Sequence, residues 1–143
     1  MGMTREQMDA IVNEHFGYEA ADDIEGVMAS LADKVEHEIV PSPVGAQHDP
    51  SGIRAYYQRL FQAVNGESVA PIRRLYGEDF IIDETMWTGE IVDGSIFLCD
   101  GRSGKVSFRL LHLFELKDGK ITREQAWLDL AAIQQQLGMR AAA

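Results

Sequence analysis

The chain has 143 residues, 45% hydrophobic and 25% charged, which suits one soluble domain with one sizeable core; residues 1–143 are read as a single unit. A formal net charge of −10 argues against duplex nucleic acid or an anionic membrane as partner. A single cysteine, Cys99, excludes an intrachain disulfide framework and fits a reducing compartment.

The opening "MGMTREQMDA" is acidic and lacks the apolar stretch of a signal peptide, so a cytoplasmic location is expected. Thr4 and Gln7 have the spacing of a capping box, and Met8, Ile11, Val12, His15, Phe16 and Glu19 follow at helical intervals. Asp22 and Glu25 repeat the cap before a second helix, with Ile24, Val27, Met28 and Leu31 as its stripe. "KVEHEIV" alternates as a short strand, and "PSPVGAQHDPSG" is a loop. A third helix covers "GIRAYYQRLFQAV", with Asn65-Gly66 as its expected stop.

From Val69 the period changes to two. "APIRRLYGEDFIIDETMWTGEIV" predicts one long bent strand, or two joined near Gly77. "VSFRLLHLFEL" and "KITREQAWLDL" flank "KDG" as a hairpin, and Asp129 caps a short closing helix. Helices followed by a run of antiparallel strands predict an α+β fold with helices packed on one face of a curved sheet.

Polar residues on apolar strand faces are the functional signal. Phe108, Leu110, Phe114 and Leu116 share a face, and His112 interrupts it. The same parity turns His37 inward with Val35 and Ile39, and Glu124 with Ala126 and Leu128. In "FIIDETMWT" it groups Glu84 with Phe80, Ile82 and Met86, although Ile81, Asp83, Thr85 and Trp87 form a face about as apolar. A buried carboxylate is costly unless paired, and a Glu beside a His gives an acid/base pair. Each residue also has a structural reading. A core histidine bonds a carbonyl or water, Glu124 sits solvated at a strand end beside Arg123, and Asp129 is simply a helix cap. His15 on its helix and His48 in its loop are read as non-functional. No HxH or HxxxH spacing occurs, and a metal would need separate strands to converge, so no metal is expected.

The two-helix start, "VEHEIVPSPVG" and "KVSFRLLHLFELKDGKITREQAWLDLAAIQQQLG" resemble the ketosteroid isomerase / nuclear transport factor 2 superfamily. The closing stretch is most similar to its SnoaL-like polyketide cyclase branch. Val106, Ser107, Phe108, Arg109, His112 and Phe114 match a V-S-F-R-x-x-H-x-F strand, and Asp118–Ile121 and Asp129–Ala131 match D-G-K-I and D-L-A. The resemblance implies an NTF2-like cone, a strongly curved sheet around an apolar pocket. It also implies a homodimer through the outer sheet face, which the side carrying Trp87 and Trp127 would suit. His112 matches the family's inward histidine, which takes part in acid/base work in the cyclases. The cyclases' acidic residue three positions before the Asp of D-L-A is Ala126 here, and Glu124 stands one pleat (~7 Å) away. The relatives' G-T-H-T-G stretch is "TGEIVDG", without the histidine.

The resulting expectation is a cofactor-free acid/base enzyme for an apolar small molecule, of isomerase, cyclase, dehydratase or hydrolase type. His112 is the general acid/base, Glu124 or Glu84 its carboxylate partner, and His37 a second proton donor. Met86, Phe108, Phe114, Tyr57 and Phe61 form the walls. The rivals are a non-catalytic ligand-binding module and a protein-interaction domain of the same fold.

Overall fold

A computed structural model describes residues 2–139. Helix α1, Arg5–Ala20, starts at Thr4 with the reciprocal Thr4–Gln7 bonds its spacing predicted. Helix α2, Ile24–Ser30, is capped by Asp23 instead of Asp22; the Asp23 carboxylate accepts from the Gly26 N–H. Strand β1, Leu31–Val40, begins three residues earlier than the pattern suggested and takes Leu31 out of the helix. Helix α3, Pro50–Ala63, is capped by Asp49, with Pro50 in its first turn.

The expected stop at Asn65-Gly66 is not a turn. Helix α3 runs directly into strand β2, Val64–Tyr76, and both residues are extended. Gly66 pairs with Gly89 of the next strand, and it is at Gly89 that a side chain is excluded, since a Cβ there would stand 2.4 Å from the Asn65 carbonyl oxygen. Strand β3, Phe80–Ile91, pairs antiparallel with β2, so the long apolar region is two strands. A 3-10 turn, Gly94–Phe97, leads to β4, Gly104–Lys117. Asp118 and Gly119 both adopt positive φ (52° and 78°) to close the hairpin to β5, Lys120–Leu128. Asp129 caps helix α4, Leu130–Gln136.

The sheet order is β1-β5-β4-β3-β2. Every neighbouring pair is antiparallel except β1–β5, which is parallel, so the sheet is mixed. Register shifts in the β1, β2 and β4 pairings bend it into a cone. Helices α1 to α3 pack Met8, Val12, Val27, Ile53 and Tyr57 against Ile81, Phe114, Leu116 and Ile121 of the inner face. A second cluster joins Ile133 and Leu137 to Ile91, Phe97, Val106 and Phe108. No helix among the described residues is long and apolar enough to cross a membrane.

Gly94, where the 3-10 turn leaves β3, tests this second cluster. An added Cβ would stand 2.5 Å from the Cys99 carbonyl oxygen and 2.6 Å from that of Arg102, both backbone atoms. Gly94→Ala should therefore cost about 1–3 kcal/mol, as overpacking does. An unchanged urea midpoint would show that this turn yields freely.

Candidate functional site

The cone encloses a cavity of about 690 Å³. Leu60, Phe61, Val64, Trp87, Phe97, Phe108, Leu110 and Leu128 supply apolar wall, while His37, Tyr57, His112 and Glu124 are polar lining groups. The β5–β4 and β5–β1 registers bring them together. Glu124 pairs with His37 across the parallel edge and with Phe114 across the antiparallel one. Ala126 pairs with His112.

Glu124 is the hub and is only 2% exposed. The Tyr57 hydroxyl donates to its Oε1. His15 Nε2 lies 3.2 Å from both of its oxygens. His112 Nε2 is 3.9 Å from Oε2, and His37 Nε2 is 4.0 Å from Oε1. Burial alone would raise the Glu124 pKa, but the His15 charge and hydrogen bond hold the carboxyl far below the usual range. Burial also opposes charge on His15, and the Glu124 and Glu19 carboxylates outweigh it, raising that pKa to about 10. His37 is lowered from its ordinary value, first by burial.

His15 is the residue that sequence reasoning set aside. It is fully buried on α1, with Nε2 also 3.3 Å from Glu19 Oε2. Its Nδ1 is 2.7 Å from Ser30 Oγ, and Ser30 gives its own proton to the Val27 carbonyl at 2.6 Å. Ser30 therefore accepts, and His15 Nδ1 carries a hydrogen. The His15–Glu19 pair at i, i+4 was the available signal. His112 contrasts with it: only 7% exposed, stacked on Phe114 at 5.3 Å, with an Nδ1 that has no protein partner.

Three expected wall or site residues lie elsewhere. The β3–β4 register pairs Asp83 with His112, Thr85 with Leu110 and Trp87 with Phe108, so these point inward. Glu84 and Met86 pair with Leu111 and Arg109 on the outer face, where Glu84 sits near Arg73 and Arg109 at 3.7 and 3.6 Å. The two faces of β3 are about equally apolar, and parity picked the wrong one. Phe114 is fully buried but belongs to the core under α1 instead of the cavity wall. Trp87 lines the cavity and does not share the outer face with Trp127, which is 48% exposed.

Asp83 brings a second polar group that the sequence reading passed over. Arg74 of β2 donates through Nε to Asp83 at 2.8 Å and through Nη1 to Asp9 of α1 at 2.8 Å. This arginine ties the sheet to the helix lid and neutralises a buried carboxylate. Arg74→Ala should destabilise the fold by about 2 kcal/mol, less than a fully buried pair because Arg74 stays partly exposed. Chemical denaturation measures it; a loss no larger than for an exposed arginine such as Arg73 would refute the tie.

The SnoaL-like domain model matches residues 12–124, so the chain belongs to the SnoaL-like family, within the NTF2-like superfamily. TsrD from Streptomyces laurentii is similar in structure, with a TM-score of 0.76 at 19% identity over 96% of this chain and 99% of that one. An LEH-like epoxide hydrolase from M. tuberculosis gives 0.71 at 19% identity, over 92% and 90%. A protein of ketosteroid isomerase-like fold from Catenulispora acidiphila, in complex with trimethylamine, gives 0.72 at 15% identity, over 91% and 93%. At these identities the likeness is one of fold. No curated protein matches the sequence.

Proposed function

We propose that this protein is an acid/base enzyme for a largely apolar small molecule held in the cone. The observation that carries the reading is His112: a buried imidazole lining the cavity, one nitrogen without a protein partner and the other facing Glu124. Its imidazole exchanges a proton with the ligand. The 3.9 Å gap to Glu124 is loose, and contacts of this kind tighten when substrate binds. Glu124, kept ionised by His15 and Tyr57, stabilises positive charge as it develops on His112. His37 adds a second imidazole beside Tyr57, at 5.1 Å between rings. Phe61, Phe108 and Trp87 hold the apolar body.

A second reading is a binding module that retains its ligand unchanged. Ala126 favours it, since a methyl group lines the cavity where the resembling cyclases place their acid. One experiment separates the two. A metabolite extract is incubated with wild type and with His112→Ala and followed by mass spectrometry. A compound consumed only by wild type supports the enzyme. A compound retained by both and altered by neither makes the protein a binder.

A further inference from the structure

Sequence reasoning set a metal aside because separate elements would have to converge. They do converge: α1, β1, β4 and β5 bring five nitrogen- or oxygen-bearing side chains, His15, Glu19, His37, His112 and Glu124, to one corner of the site. Among them, the nearest nitrogen and oxygen atoms of His15, Glu19 and Glu124 all lie within 4.8 Å of one another. We propose that His15, Glu19 and Glu124 form a site for one divalent transition-metal ion of the zinc type, with its open coordination position toward the cavity.

The first argument is the orientation of His15. Ser30 holds the hydrogen on Nδ1, which leaves Nε2 to face two carboxylates at 3.2 and 3.3 Å. A bare lone pair facing two carboxylates is repulsive, so the gap must hold a proton or a cation. A histidine whose far nitrogen is fixed by a hydrogen bond is the usual arrangement of a metal ligand. The second argument is distance. Charge-assisted N–H···O bonds are about 2.7–2.9 Å, shorter than these contacts. Ligands about 2.0–2.1 Å from a tetrahedral zinc stand roughly 3.3–3.4 Å apart, close to the two His15 contacts at 3.2 and 3.3 Å, and the Glu19 and Glu124 oxygens lie within 4.8 Å of each other.

The third argument is charge. With a proton on His15, the Glu19–His15–Glu124 unit keeps one net negative charge, and Glu124 and His15 are both buried. A divalent ion with a neutral His15 brings that sum to zero. Glu19 and Glu124 both line the cavity, so the remaining coordination position opens there. Three protein ligands and one open position is the pattern of catalytic zinc. His37 and His112 stand about 4 Å from the Glu124 oxygens, farther than His15. The ion site stands on the geometry of its three ligands; only its use by a substrate rests on the acid/base reading.

Cobalt(II) is the test ion, because its visible absorption reports tetrahedral coordination. Chelator-treated full-length protein is titrated with cobalt chloride and, in parallel, with zinc chloride by calorimetry. Wild type should take up one ion per chain with a tetrahedral cobalt spectrum. Ser30→Ala should weaken binding by about 10-fold or more, the usual loss when the group orienting a ligand is removed. Glu19→Gln, at a half-buried position where the fold should persist, should lose more than that. His15→Gln should do the same if it folds. No uptake by wild type, or equal uptake by wild type and Glu19→Gln, overturns the proposal, since the ion would then sit on other carboxylates. His112→Ala should retain the cobalt spectrum. A wild type that ignores cobalt yet converts a compound spared by His112→Ala would remove the metal and leave the acid/base reading standing.

Discussion

Glu124→Gln should lower folding stability by about 3 kcal/mol, the lower end of the range for breaking a buried ion pair. The substitution is nearly isosteric, so packing around α1 and β5 is preserved. Tyr57 keeps an acceptor, because its hydroxyl donates to Oε1 and an amide oxygen can stand there. The loss falls on His15. Its charge is supported by Glu124 on one side and Glu19 on the other, and no water reaches it. With Glu124 neutral, His15 keeps Glu19 at 3.3 Å, which limits the cost. Glu19→Gln removes the weaker support and should cost less. Urea unfolding of the three proteins gives the comparison, and equal midpoints for Glu124→Gln and wild type would show that the His15–Glu124 pair contributes no net stability. The double variant Glu124→Gln/His15→Gln should recover part of the loss, since it removes the stranded charge as well.

The fold was legible where local chemistry and burial agree. Thr4, Asp49 and Asp129 are caps by residue type and by observed hydrogen bonds. Asp118-Gly119 is a hairpin turn because both residues tolerate positive φ. Asn65-Gly66 carries the same local signal and misleads, because both residues pair with Glu90 and Gly89 of β3 and are held extended. The parallel pairing of β1 with β5 had no local signal, since it is set by the path of the chain.

The site was legible on β1, β4 and β5, where one face is plainly apolar and a polar residue stands out. His37, His112 and Glu124 all point inward as parity required. On β3 the two faces are about equally apolar and parity has no power. The cross-strand partners decide instead, and they place Asp83 inside and Glu84 outside. Even on β5 parity holds only as far as a bulge. Ile121 is fully buried although it alternates with Glu124's face, because the register shifts between Glu115 and Leu116. His15 was missed for a different reason. Histidine on an apolar helix face is ordinary core; its i, i+4 spacing to Glu19 was a weak signal, and the long-range contact to Glu124 is what distinguishes it.

For the compound that wild type converts, His112→Ala should lower kcat by about 10²–10⁴-fold, the usual contribution of a positioned acid/base group. Part of any loss could come from packing, because the ring lies against Phe16 and Phe114 at 5.0 and 5.3 Å. Phe108→Ala supplies the control. It removes cavity wall from the same strand but no proton-transfer group, so it should raise KM more than it lowers kcat. His112→Gln fills more of the space and keeps hydrogen-bonding atoms, yet it cannot exchange a proton near neutral pH. If His112 transfers the proton, His112→Gln should be as slow as His112→Ala. If the imidazole only orients or packs, His112→Gln should recover most of the rate and resemble Phe108→Ala. Comparable kcat losses in the two His112 variants, with KM changed less than in Phe108→Ala, assign the proton transfer to the His112 imidazole; recovery by Gln withdraws it.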